Sequence, residues 1–189
     1  MEIPGARMKE LPVLKYDDEM DINEIAVKQK FDFVSVPGVV SARDLQEIKK
    51  VIQGDSKVAI LAKIDSLEAV HQFQGILKYA DGVIIVRNEL AFELEPEKLM
   101  IAQKWMTQQA NHEAKPIFLQ SQVLESMLIN HMGDARQETT DISSAVQDGV
   151  DVFILSHETS IGQFSLEATM LLAKAIAEAE NCFDYEVAF

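Results

Sequence analysis

The sequence predicts an α/β protein built on about five parallel strands with flanking helices. Three observations carry that expectation. Short apolar runs rich in Val and Ile recur along the chain, and each is followed by a stretch with helical spacing of apolar residues. Two similar junctions, Tyr79-Ala-Asp-Gly-Val83 and Val146-Gln-Asp-Gly-Val150, stop a helix with Gly and turn the chain into the next strand. Strands separated by one helix each become parallel neighbours through right-handed crossovers.

Residues 1 to 16, with Pro4-Gly5 and Pro12, read as an extended lead-in, because Pro and Gly oppose a helix there. Residues 17 to 189 read as one domain. Asp17 and Asp18 offer an N-cap and favourable charge for a first helix, whose apolar face is Met20, Ile22, Ile25 and Ala26, ending near Lys28. The predicted strands are Phe31 to Val36, Val58 to Ile64, Val83 to Arg87, Ile117 to Gln120, and Val152 to Leu155. The helices between and after them are Ala42 to Gln53, Leu67 to Tyr79, Pro96 to Ala110, Thr140 to Asp148, and Leu166 to Glu180. Ser41 and Ser165 are expected to cap the helices that follow them, and a shorter helical turn is expected over Val123 to Ile129. Trp105, Met100, Ile101 and Met106 are expected to form one packed helix face.

Such a series of strands fits an open doubly wound sheet or an arc of a (β/α)₈ barrel. Length favours the open sheet, since a complete barrel needs roughly 200 to 250 residues or more. Motif content favours the arc.

Composition narrows the function. With 48% hydrophobic and 25% charged residues, the 189-residue chain has no bias toward disorder and is long enough for a proper core. Its 31 acidic against 17 basic residues, a net charge of −14, argue against nucleic acid as a partner, because phosphate binding needs clustered Lys and Arg. The single cysteine, Cys182, excludes an intrachain disulfide framework and a cysteine-based zinc site. No apolar segment of signal-peptide or membrane-spanning length is present, so a cytoplasmic protein without membrane insertion is expected. The four histidines lie on separate segments without ligand spacing.

In either architecture ligands gather at the carboxyl ends of the strands. Those ends carry Lys63 and Asp65; Arg87, Asn88 and Glu89; Gln120, Ser121 and Gln122; and Ser156, His157, Glu158 and Thr159. Asp65 and Glu89 offer oxygen ligands of the kind Mg²⁺ takes, one or two carboxylates together with substrate oxygens and water. Lys63 supplies a cation beside them, which suits an anion whose charge grows during reaction, such as a phosphoryl group or an enolate. The competing reading makes these residues ordinary ion pairs and caps at the rim of a sheet.

More specific motifs run in order along the chain. They are Lys63-Ile-Asp65, Asp81-Gly-Val-Ile-Ile-Val-Arg87-Asn-Glu-Leu-Ala91, Pro96-Glu-Lys98, Ala102-Gln-Lys104, and Ala114-Lys-Pro116. After them come Gln120-Ser-Gln-Val-Leu-Glu-Ser-Met127, Arg136-x-Glu138-x-x-Asp141, Ala145-Val-x-Asp-Gly149, Leu155-Ser-x-Glu-Thr159 and Glu167-Ala168. In these the chain resembles the second part of the pyruvate kinase catalytic barrel, over nearly all of its length. The resemblance implies a partial TIM-type (β/α) barrel whose strands are the family's fourth to eighth. The family's first three strands, lid domain and C-terminal regulatory domain have no counterpart among these residues.

The resemblance also implies roles. Lys63 matches the catalytic lysine facing the enolate and the transferring phosphoryl group. Asp65 and Glu89 match the two metal carboxylates, with Glu and Asp exchanged in length. Ser121 keeps the hydroxyl of the family's threonine, as a catalytic and substrate-binding residue, and Asn88 and Glu89 fall on substrate-binding positions. Departures accompany these matches: Asn88 and Ala91 replace glycines, Pro37 a serine, Val40 an arginine or other polar residue, and His157 a glycine, while Ala135 lies in a replaced Pro-Arg-Pro-Thr run. The family's K⁺ ligands and much of its nucleotide site would lie in the unmatched strands, so Mg²⁺ is the cofactor to consider and K⁺ is not expected.

The resulting expectation is a pyruvate kinase-like pseudoenzyme that acts as a structural or interaction subunit of a larger assembly. A protein partner or a second copy of the chain would cover the open barrel edges. The alternative is a fragment or split enzyme that transfers phosphoryl from phosphoenolpyruvate to ADP with Mg²⁺ and K⁺. A citrate-lyase-type aldolase is a third reading, which the Gln-x-Leu-Glu-Ser-Met and Leu-Ser-x-Glu-Thr matches oppose.

Overall fold

The structure, a computed structural model, describes residues 14–52, 57–131 and 135–182. The expected lead-in falls almost entirely outside the described residues. The fold is α/β, with five parallel strands in chain order. The chain divides into two compact units, residues 1–117 and 118–189, with the boundary inside the fourth strand.

The first unit begins with α1 (Tyr16–Asp21), which passes into a π-helical segment, Ile22–Val27. Its N-cap is Lys15 and not Asp17: Asp18 Oδ2 accepts the Lys15 N–H at 2.8 Å, so the acids fill the first turn. β1 (Phe33–Val36) starts two residues later than expected and leads to α2 (Ala42–Val51). Ser41 is the α2 N-cap, as expected, and Asp44 Oδ2 accepts the N–H groups of Ser41 and Val40 at 2.7 and 3.0 Å.

β2 (Ala59–Ile64) pairs in parallel with β1, from Phe33 opposite Ala59 to Val36 opposite Ala62. The single helix expected at 67–79 is divided into α3 (Leu67–His71) and α4 (Phe73–Tyr79) at Gln72. β3 (Gly82–Val86) pairs in parallel with β2, with Lys63 opposite Ile84 and Ile64 opposite Ile85. Every β3 residue is buried, which is why its sequence shows no apolar alternation.

Arg87, Asn88 and Glu89 do not extend β3. They form the first turn of an unanticipated helix, α5 (Arg87–Glu93), followed by α6 (Pro96–His112) with Pro at its start. On α6 the expected packed face is only partly formed. Met106 is buried, Trp105 packs its ring 5.5 Å from that of Phe73, and Ile101 points to solvent, 69% exposed. Leu45, Ile48, Ile64, Phe73, Ile76, Ile85 and Leu90 complete the buried interior of this unit.

The two Asp-Gly junctions work differently. Gly149 has φ +91°, the left-handed conformation that ends a helix, as the sequence suggested. Gly82 is the first residue of β3, and its need is space: a Cβ there would lie 2.7 Å from Leu61 Cδ2 and 2.9 Å from the Pro116 carbonyl oxygen. That carbonyl accepts the Val83 N–H at 3.1 Å, joining the approach of β4 to β3.

β4 (Ile117–Gln120) has the expected boundaries and pairs in parallel with β5 (Val152–Ile154), with Leu119 opposite Phe153. In the second unit the turn after β4 contains a short 3₁₀ segment, Glu125–Leu128, and then come α7 (Ala135–Gln147), α8 (His157–Ser160) and α9 (Ser165–Cys182). α7 starts five residues before the expected helix, α8 was not expected, and Ser165 is the first residue of α9 instead of its cap. Val123, Leu124, Met127, Ile142, Val146, Ala168 and Leu172 form the core of this unit.

Candidate functional site

β2 delivers the first candidate residues. Lys63 and Asp65 are two apart, so the strand period places both on one face, Lys63 half-buried near the end of β2 and Asp65 just beyond it. Asp65 Oδ2 accepts the backbone N–H of Gly38 at 2.8 Å, which ties the end of β2 to the loop after β1. Gly38 has φ +66°, a conformation that suits glycine.

Burial pushes the Asp65 carboxyl above the usual carboxylate range. The Gly38 hydrogen bond and the Lys63 ammonium act in the opposite direction, and the negative charge of Glu93 adds to the rise. Glu93 had no place in the sequence reading. Its Oε2 accepts the Leu67 N–H at 2.6 Å, at the start of α3, while Ser66 Oγ accepts the Ala69 N–H at 3.3 Å. The available signal was spacing: Glu89 and Glu93 are four apart on what proves to be one helix.

Asn88 and Glu89 follow β3, the strand beside β2, so the structure brings the ends carrying Lys63, Asp65, Asn88 and Glu89 together in the first unit. Both side chains are half-buried. The Asn88 Oδ1 atom is itself buried and has no hydrogen-bond partner among the described residues. Arg87 is buried as well, with 5% of its surface exposed.

Ser121 lies in the second unit, immediately after β4, and is buried. It and Gln122 have φ +70° and +54°, two successive non-glycine residues in the left-handed region. Residues held in that region cost on the order of 1 kcal/mol or more each, and they concentrate where a backbone is shaped for a ligand or a tight turn. Two further carboxylates of this unit are Glu138, a motif member in the sequence, and Glu158, expected at the end of the last strand. Glu138 accepts both the N–H and the hydroxyl of Ser126, the first at 2.9 Å. Glu158, 2% exposed, accepts the Ser156 N–H at 2.7 Å through Oε2.

The donor set can be tested against a metal. Among the described residues no three His, Cys, Asp or Glu side chains are grouped to hold an ion. Asp65 and Glu89, at the ends of neighbouring strands, are carboxylates, the donor type that a hard divalent cation takes. One of the two Asp65 oxygens is engaged by Gly38, which narrows the coordination left to it.

Known proteins resemble the chain in sequence and in fold. The family described as "Pyruvate kinase, barrel domain" matches residues 1–169. The chain is 35% identical over 190 residues to the pyruvate kinase of Eimeria tenella, covering 100% of this chain and 35% of that protein. It is also 35% identical over 193 residues to the pyruvate kinase of Dictyostelium discoideum, covering 100% of this chain and 38% of that protein. Among solved structures, a pyruvate kinase from Cryptosporidium parvum superposes with a TM-score of 0.92 at 35% identity, covering 98% of this chain and 39% of that one. A structure of Cryptosporidium parvum pyruvate kinase in complex with ADP gives 0.91 at 34% identity, covering 98% of this chain and 38% of that one. The chain thus spans little more than a third of the length of these relatives. The likeness decides between the two architectures, since the strands follow those of pyruvate kinase barrels and not an open doubly wound sheet. No helix among the described residues is long and apolar enough to cross a membrane. Ordered motifs, the family match and the shared fold converge: the chain belongs to the pyruvate kinase family and corresponds to part of its barrel domain.

Proposed function

We propose that this part of a pyruvate kinase barrel serves as a scaffold that acts by protein contact within a larger assembly, as a pseudoenzyme. The observation that carries the reading is the Asp65 carboxylate. At a position matching a metal ligand of the family, Asp65 takes the Gly38 N–H into one oxygen and binds its own loop. Asn88 adds to it, because a side chain stands where the family has glycine and its Oδ1 is buried without a partner among the described residues. The partner is a protein or a second copy of the chain, seated on the open edge of the sheet. β1 lies at one end of the strand order, and Phe33 on it is 50% exposed. Pyruvate kinases called cytosolic isozymes, from Arabidopsis thaliana and Glycine max, are among the relatives and support a cytoplasmic setting.

The second reading is phosphoryl transfer from phosphoenolpyruvate to ADP by a split or longer enzyme. It is favoured by Lys63, Asp65 and Glu89 at neighbouring strand ends. In that reading Mg²⁺ would be held by Asp65 and Glu89 and would supply Lewis-acid charge to the phosphoryl oxygens. Lys63 would stabilise the growing negative charge. No residue of this chain is assigned to K⁺.

A lactate-dehydrogenase-coupled assay on the native assembly separates the two. The scaffold reading expects no Mg²⁺-dependent pyruvate formation, and such formation, lost in Lys63→Met, would replace it with the enzyme reading. Size-exclusion chromatography of the native protein tests the partner: a stable monomer at micromolar concentration would remove that part of the proposal.

A further inference from the structure

Among the described residues of the first unit, Gln103 is the most deeply buried amide side chain, with 1% of its surface exposed. It sits on α6, which packs against α4, α5 and β3. Both ends of its amide, Nε2 and Oε1, are buried and have no hydrogen-bond partner among the described residues. Thr107, one turn further along and also fully buried, gives its hydroxyl proton to the Gln103 backbone carbonyl at 2.9 Å, so it has none to donate to Oε1. The surroundings on the same helix, Met106 and Ala110, are apolar and fully buried.

A primary amide carries two donors and a two-lone-pair acceptor, and leaving both ends desolvated and unpaired is costly enough that buried amides are satisfied almost without exception. A ligand that serves both ends must donate and accept, and it must be small enough for the interior of a packed helix and sheet layer. Water meets those conditions, and internal waters take up this task in globular proteins. We propose that Gln103 anchors an internal hydration site beneath α6, in which a long-lived water accepts from Nε2 and donates to Oε1 or joins them to a neighbouring polar group. The third buried unpartnered atom, Asn88 Oδ1, lies on α5, which packs on α6, and is the nearest such group in the element order.

The anchoring residue, Gln103, matches no metal- or substrate-binding position, whereas Asn88 falls on one. It makes α6 a helix whose seating depends on a bound solvent molecule as well as on apolar contact.

The test needs no activity. In wild-type protein, water-selective NMR should give NOE cross-peaks to the Gln103 side-chain amide protons with the sign opposite to the ROE, which separates bound water from fast-moving surface hydration. Oxygen-17 relaxation dispersion should count at least one long-lived water fewer in Gln103→Met, whose side chain has similar length and no polar end. The proposal is overturned by absent or exchange-type cross-peaks in wild type, or by an unchanged count in the variant. If Gln103→Met does not fold, the wild-type cross-peaks decide alone.

Discussion

The carboxylate of Asp65 and the backbone N–H of Gly38 are 2.8 Å apart and join the end of β2 to the loop after β1, twenty-seven positions away in sequence. The same carboxylate is half-buried beside Lys63, and burial outweighs both favourable contacts, so its pKa is raised above the ordinary value of 3.8. A carboxyl with a raised folded-state pKa contributes stability that is fully present below the unfolded value and is lost as pH rises through the folded one. Asp65→Asn keeps an acceptor for Gly38 and removes the charge. The variant should therefore be more stable than wild type near pH 7, with the advantage fading to nothing below about pH 3.8. Urea midpoints at several pH values check this, and a variant less stable at pH 7 would show that the ionised bond to Gly38 outweighs the cost of burial.

How much of this was legible beforehand can be read from particular residues. β4 was found to the residue because Pro116 and the polar pair Ser121-Gln122 bound the short apolar run that ends at Gln120. The strand ends carrying Lys63 and Asp65 were equally clear, since the apolar run stops there. α5 was not seen, because Arg87, Asn88 and Glu89 interrupt an apolar run and look like a rim, while the helix they begin is only seven residues long. The break at Gln72 was hidden by apolar spacing that continues through Ala69, Phe73, Ile76 and Leu77, all buried on both sides of it. Glu93 escaped with α5: its spacing of four from Glu89 has meaning only on a helix, and its partner, the Leu67 N–H, is distant in sequence.

Lys115 should matter for stability more than its surface-type chemistry suggests. Its Nζ donates to the Leu77 and Ala80 carbonyls, the second at 2.8 Å, and so closes the C-terminal end of α4, where helix carbonyls lack partners. Lys115→Met retains the stem and leaves both carbonyls uncapped, at a cost of about 1–3 kcal/mol. Burial lowers the amine's pKa from 10.5, with Asp81 acting against that shift. A depressed folded pKa contributes stability only above the unfolded value and loses it as pH falls through the folded one, so charging the amine is opposed at neutral pH. The net loss should accordingly fall in the lower half of that range, as a reduced urea midpoint with unchanged slope.

Two glycines should respond to alanine with opposite signs. At Gly82 the new Cβ would stand 2.7 Å from Leu61 Cδ2 and 2.9 Å from the Pro116 carbonyl oxygen, and the latter is backbone that cannot step aside. Gly82→Ala should destabilise by about 1–3 kcal/mol through overpacking between β2, β3 and the approach to β4. At Gly75, inside α4, a Cβ meets nothing within 4 Å and the backbone is already helical. Gly75→Ala should stabilise by about 0.5–1 kcal/mol, because alanine loses less conformational entropy in a helix. Thermal or denaturant midpoints of the two variants, measured side by side, check both signs.

Glu93 offers a way to move the Asp65 titration without touching Asp65. Its charge adds to the rise of the Asp65 pKa, while its Oε2 accepts the Leu67 N–H at the start of α3. Glu93→Gln keeps an oxygen for Leu67 and removes the charge, so the ionised form of Asp65 is repelled less and its pKa should fall toward 3.8. The shift should shrink at high salt, since Glu93 is exposed and screened by mobile ions. Carboxyl carbon-13 chemical shifts of Asp65 followed against pH give the reading directly. A lower midpoint in Glu93→Gln at low ionic strength places the two carboxylates in one electrostatic environment, as the fold has them, and an unchanged midpoint would mean that they titrate independently.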